Sequence, residues 1–69
     1  MKRVKIQCNG RQQSLAEDTT LAELLDDLGL PADSVVAEIN KKIIDRDQYA
    51  TFKLSSGDQV ELIRFVGGG

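Results

Sequence analysis

The chain has 69 residues, one cysteine, no histidine, and 9 basic against 11 acidic side chains, for a net charge of −2. This length allows one domain with a thin core. The counts exclude an intrachain disulfide, a Cys/His zinc site and a histidine general base, and no metal or bound cofactor is expected. The charge balance offers no basic footprint for nucleic acid, and no apolar run approaches the roughly 20 residues of a membrane-spanning helix.

The opening "MKRVKIQCNG" alternates rather than running apolar, so it reads as a strand and not as a signal peptide. Val4, Ile6 and Cys8 share one face, and Lys5 and Gln7 the other. A cytoplasmic location is the default expectation, and the unpaired Cys8 agrees with a reducing compartment. Asn9-Gly10 is the dipeptide that best tolerates the positive φ angles of a tight hairpin. A more polar strand returns through Arg11 to about Leu15, and "AEDTT" breaks the pattern.

A helix follows. Thr20 caps it and Glu23, three residues on, closes a capping box. Leu21, Leu24, Leu25 and Leu28 fall at i, i+3, i+4 and i+7 and form one apolar stripe, with Glu23, Asp26 and Asp27 facing water. Gly29 supplies a left-handed stop and Pro31 prevents resumption. So short a helix does not persist alone, and it must lie against a sheet.

"SVVAEIN" and "KKII" are β-rich runs around a second hairpin turn at Asn40-Lys41, and "DRDQYA" reads as a polar connection. A short strand is expected near Phe52–Leu54, a turn at Ser55–Asp58 with Gly57 at positive φ, and a last strand over Gln59–Val66. The order hairpin, helix, strands predicts an α+β two-layer domain with one face of the sheet covered. In the last strand Val60 and Leu62 point to the helix, so Ile63 and Phe65 point to the open face.

No constellation makes this chain an enzyme by itself. The carboxylates sit in no evident apolar pocket, the serines have no histidine to activate them, and no glycine cluster precedes the helix to cradle phosphate. Cys8, on the apolar face of a strand, reads as a small buried hydrophobe before it reads as a nucleophile. Gly67-Gly68-Gly69 has two readings. One is a frayed terminus or an expression scar. The other is a narrow chain without Cβ atoms that threads into another protein's active site. Its α-carboxylate, with a pKa of about 3.5, is an anion that condensation with ATP would activate. A glycine acyl-adenylate is uncrowded and has no stereocentre to racemise.

The segments "VKIQCNG", "TTLAELLDDLGL", "VVAEINKKIIDRDQY", "SSGDQVELI" and the final "FVGGG" together resemble the sulfur carriers of the thiamine pathway, ubiquitin-like β-grasp proteins, over essentially the full length. The final Gly-Gly alone is also shared with ubiquitin and with the small subunit of molybdopterin synthase. The stretch "AEINKKIIDRDQY", with Asn40 and Arg46, and the short length favour the thiamine-pathway carriers. The resemblance implies a β-grasp domain over 1–66, with a mixed sheet of four to five strands whose first and last strands are adjacent and parallel. One main helix packs on one face, and a flexible glycine tail occupies 67–69. It implies that the Gly69 carboxylate is adenylated by an adenylyltransferase related to the ubiquitin-activating enzymes, with ATP and Mg²⁺ used by that partner. Conversion to a thiocarboxylate and sulfur delivery to thiazole synthase follow. On this reading Gly67, Gly68 and Gly69 thread into the partners' active sites, and Ile63, Phe65 and Val66 dock them. The alternatives are that Ile63 and Phe65 pack under a loop with Tyr49 or Phe52, that the chain is a protein modifier, or that it carries sulfur for another acceptor.

Overall fold

The structure, a computed structural model, describes residues 2–65. Five strands and one helix are built in chain order: β1 Arg3–Cys8, β2 Arg11–Ala16, α1 Leu21–Asp27, β3 Val35–Ile39, β4 Lys42–Ile44 and β5 Gln59–Arg64. Single 3₁₀ turns occupy Ala32–Ser34 and Arg46–Gln48.

The sheet order is β2-β1-β5-β3-β4. β1 and β5 are parallel, and the other pairs are antiparallel. This is the mixed sheet that the resemblance implied. A parallel pair cannot be joined by a hairpin. The chain between β1 and β5 therefore crosses the sheet, and α1 lies in that crossing. Both hairpins turn through positive φ, at Asn9 (51°) with Gly10 (81°) and at Asn40 (53°) with Lys41 (70°). Two consecutive residues of that kind match the right-handed twist of the strands they join.

Thr20 caps α1 as expected: its side chain accepts from the Glu23 N–H, and the Glu23 carboxylate accepts from the Thr20 N–H at 2.9 Å. Leu21, Leu24 and Leu25 are buried, and each contributes roughly 1.5–3 kcal/mol of burial free energy. They meet Ile6, Val35, Ile39 and Val60 from the sheet in one core. Leu28 departs from the expected stripe. The helix ends at Asp27, Leu28 is its C-terminal cap, and its side chain is 40% exposed. Gly29, at φ 72°, turns the chain away immediately after it.

Two further expectations are corrected. Phe52–Leu54 forms no strand: Lys53 makes one isolated bridge to Thr20. The reason is that this segment spends its hydrogen bonds on the entry to α1, with the Leu54 N–H on the Thr19 carbonyl and the Leu21 N–H on that of Phe52. The "DRDQYA" stretch is more than a polar connection, because it carries the buried Tyr49 into the core. The last strand runs to Arg64, and Val66 of its expected span lies outside the described residues.

Candidate functional site at the outgoing end of β5

Among the described residues the sheet is covered on one face only. Along β5 the burial alternates, with Val60 and Leu62 buried and Glu61 and Ile63 exposed. Ile63 is 50% and Phe65 43% exposed. The sequence placed both on the open face, and that is where they stand. Neither joins Tyr49 and Phe52, which pack in the core on the other side. Gly67, Gly68, Gly69 and Val66, the other residues assigned to the site, lie outside the described residues.

The register shows which neighbours share this face. Ile63 is directly opposite Val36 on β3, Glu61 is opposite Glu38, and Glu38 is opposite Ile43 on β4. Ile43 is 68% exposed and diagonal to Val36, within reach of a cross-strand neighbour. Ile43 and Val36 therefore extend the apolar surface of Ile63 and Phe65. Ile43 was missed in the sequence. "KKII" signals a strand, but which of its two isoleucines faces inward depends on the register with β3. Glu38 and Glu61 lie side by side across the β3–β5 pair, which sets an acidic centre beside the apolar residues.

The outgoing end of β5 is held from both sides. Towards β3, the Phe65 N–H donates to the Ser34 carbonyl at 3.1 Å. Towards β1, the Leu62 N–H donates to Asn9 Oδ1 at 2.8 Å, and Asn9 Nδ2 donates to the Leu62 carbonyl at 3.4 Å. The other end of β5 is held in a similar way by Asn40, whose Oδ1 accepts the Gln59 N–H at 3.0 Å and whose own N–H donates to the Gln59 carbonyl.

The described residues offer a surface and no catalytic cluster. Among them no three His, Cys, Asp or Glu side chains gather as a metal site. Cys8 is buried under the sheet, and burial pushes its thiol up from the ordinary value. That disfavours the thiolate, which is the nucleophilic form.

Comparison with known proteins decides the family. The model of the ThiS family matches residues 4–69. The chain belongs to the ThiS family. The sulfur carrier protein ThiS of Bacillus subtilis is 37% identical over 65 residues, which cover 93% of this chain and 98% of that protein. A crystal structure of the thiamine biosynthesis protein ThiS from Geobacter metallireducens superposes with a TM-score of 0.81 at 30% identity, covering 96% of this chain and 100% of that one. Its fold and the five-stranded sheet with one helix agree as β-grasp domains. A thiazole synthase of Magnetococcus marinus is 38% identical over 66 residues, and this chain spans 96% of its own length but only 20% of that protein. The ThiS-like stretch there is one part of a longer polypeptide.

Proposed function

We propose that this ThiS chain carries sulfur for thiazole formation in thiamine biosynthesis, with the carboxylate of Gly69 as the carrying group. The observation that carries the reading is the family match running through Gly67-Gly68-Gly69. The exposed Ile63 and Phe65 at the outgoing end of β5 support it, because exposed apolar side chains a few residues ahead of that segment in the sequence suit a docking surface.

The chemistry is divided between proteins. An activating adenylyltransferase binds ATP and Mg²⁺. A Gly69 carboxylate oxygen attacks the α-phosphorus, pyrophosphate leaves, and an acyl-adenylate forms. Hydrosulfide, or an equivalent sulfur nucleophile, then attacks the activated carbonyl and expels AMP. The product is a thiocarboxylate, with one oxygen replaced by sulfur and no change in redox state at carbon. Thiazole synthase is the proposed acceptor, supported by the ThiS-like stretch within proteins of that name. The chain itself supplies a docking surface, an uncrowded carbonyl and a segment narrow enough to enter two different active sites.

Incubation with the activating enzyme, ATP, Mg²⁺ and sulfide tests this reading. Pyrophosphate release and an intact-mass gain equal to the difference between sulfur and oxygen are expected. A chain lacking Gly68 and Gly69 should give neither, and pyrophosphate exchange that survives this deletion overturns the reading.

A further inference from the structure

β1 stops short of the residues that matter most. It pairs with β5 only at Gln7–Gln59 and Cys8–Val60 before turning away through Asn9-Gly10. The Asn9 N–H still reaches the Val60 carbonyl at 2.9 Å. In an extended strand alternate residues present their N–H and C=O to opposite sides. On the β3 side of β5 the partners continue through Val36, opposite Ile63, to Ser34, which takes the Phe65 N–H. On the β1 side the next peptide groups belong to Leu62, and β1 has already ended. The Asn9 carboxamide takes its place. One oxygen accepts the Leu62 N–H and one NH₂ donates to the Leu62 carbonyl, as a strand residue would.

The turn does not account for this arrangement. A hairpin at this position needs positive φ at residue 9, and glycine supplies that as well as asparagine does. The side chain does something additional: it extends the pairing of β5 on its open side to Leu62, directly before Ile63 and Phe65. We propose that Asn9 is a positioning residue for the carrier reaction, fixing the course of β5 at Leu62, ahead of Ile63 and Phe65 and of the Gly67–Gly69 that follow in sequence. This inference rests on the carrier reading above. Asn9 touches no reacting atom and acts through the Leu62 peptide. With the clasp in place, Leu62 and the exposed Ile63 and Phe65 that follow it are preset from the β1 side as well as from the β3 side. Without it, that end of β5 keeps only its pairing with β3, and a partner must complete its ordering on binding, which weakens association.

Asn9→Gly keeps the turn and removes the carboxamide. Asn9→Asp keeps an acceptor for the Leu62 N–H but sets an anion against the Leu62 carbonyl. Three measurements are made on each: amide exchange of the free chain, melting temperature, and ATP–pyrophosphate exchange by the activating enzyme as the carrier concentration is varied. In Asn9→Gly the Leu62 amide should lose protection. KM for the carrier should rise on the order of tenfold with kcat held within about twofold, the size expected when two hydrogen bonds that preset one arrangement are lost. Asn9→Asp should lie between Asn9→Gly and the parent, and it carries the test if Asn9→Gly fails to fold. Leu25→Val, a core change on α1 outside β1, β5 and the Asn9–Leu62 hydrogen bonds, serves as the stability control and should keep the parent KM at an equal or greater loss of melting temperature. An unchanged KM in both Asn9 variants overturns the inference, as does a KM increase that Leu25→Val reproduces. Absence of exchange with the parent chain overturns the carrier reading and this inference with it, so the two failures are distinguishable.

Discussion

The Tyr49 hydroxyl donates to the Val35 carbonyl at 2.9 Å from a side chain that is 4% exposed. The same oxygen accepts the Ala37 N–H at 3.2 Å. Tyr49 thus serves the margin of β3 where the three-residue β4 is too short to do so. Its role parallels those of Asn9 and Asn40, since each is a side chain that completes a ladder where a strand has ended. Tyr49→Phe keeps the ring packing and leaves the Val35 carbonyl and Ala37 N–H without that partner. A loss of about 1–3 kcal/mol is expected, read as a lower midpoint in urea with an unchanged slope. A midpoint equal to the parent's would show that water substitutes for the hydroxyl.

Leu24 is 1% exposed in the centre of the face that α1 turns to the sheet. Leu24→Ala opens a cavity in a core that has no second layer to collapse into it, so a loss of ~2–5 kcal/mol is expected. For a domain this small that is a large share of the whole. Leu28, 40% exposed at the end of the same helix, should lose much less on the same substitution. Comparing the two by thermal melting checks where the apolar stripe ends.

Cys8 gives a pH prediction. Burial raises its pKa above the ordinary value of 9.0, so above that pH the folded state holds the thiol proton more tightly than the unfolded state. Stability from this group is fully present below 9.0 and falls as pH rises through the folded value. Unfolding free energy should therefore decline more steeply above 9.0 in the parent than in Cys8→Ala. Other titrating groups are common to both and cancel in the difference. Parallel slopes would mean that the thiol ionises equally easily in both states.

The parts of this fold that rest on local chemistry were legible in the sequence. The Thr20–Glu23 box, the Asn9-Gly10 and Asn40-Lys41 turns and the alternation along β5 each need only a few neighbouring residues. Positions decided by distant partners were not legible. Tyr49 stands in a polar run and gives no periodic signal; its burial depends on how the chain after β4 folds back over β3. Phe52–Leu54 has strand-like composition, but its peptide groups are taken by Thr19 and Leu21. The contact of Asn9 with Leu62 depends on the parallel register of β1 and β5, which joins residues at opposite ends of the chain. The same holds for the site. Exposure of Ile63 and Phe65 followed from period two in one strand, whereas Ile43 came to the same face only through the β3–β4 register.

Phe65 is the sharpest test of the open face. It is 43% exposed, and what orders it in the free chain includes its N–H bond to the Ser34 carbonyl, which alanine retains. Truncation to Ala should therefore cost about 1 kcal/mol of stability or less. If Phe65 is an interface anchor for the activating enzyme, the same change should weaken binding by on the order of 1–3 kcal/mol. The face has two kinds of contact to offer, apolar at Ile43, Val36, Ile63 and Phe65 and anionic at Glu38 and Glu61. The apolar part should carry most of the affinity, because exposed charges are screened by salt and well solvated. Phe65→Ala binding should accordingly stay weak across a range of ionic strength, whereas any contribution from Glu38 and Glu61 should fade as salt is raised. Titration calorimetry at two salt concentrations, alongside a melt of the same variant, separates these terms. An unchanged affinity with a large drop in melting temperature would make Phe65 a structural residue and move the docking surface elsewhere on the sheet.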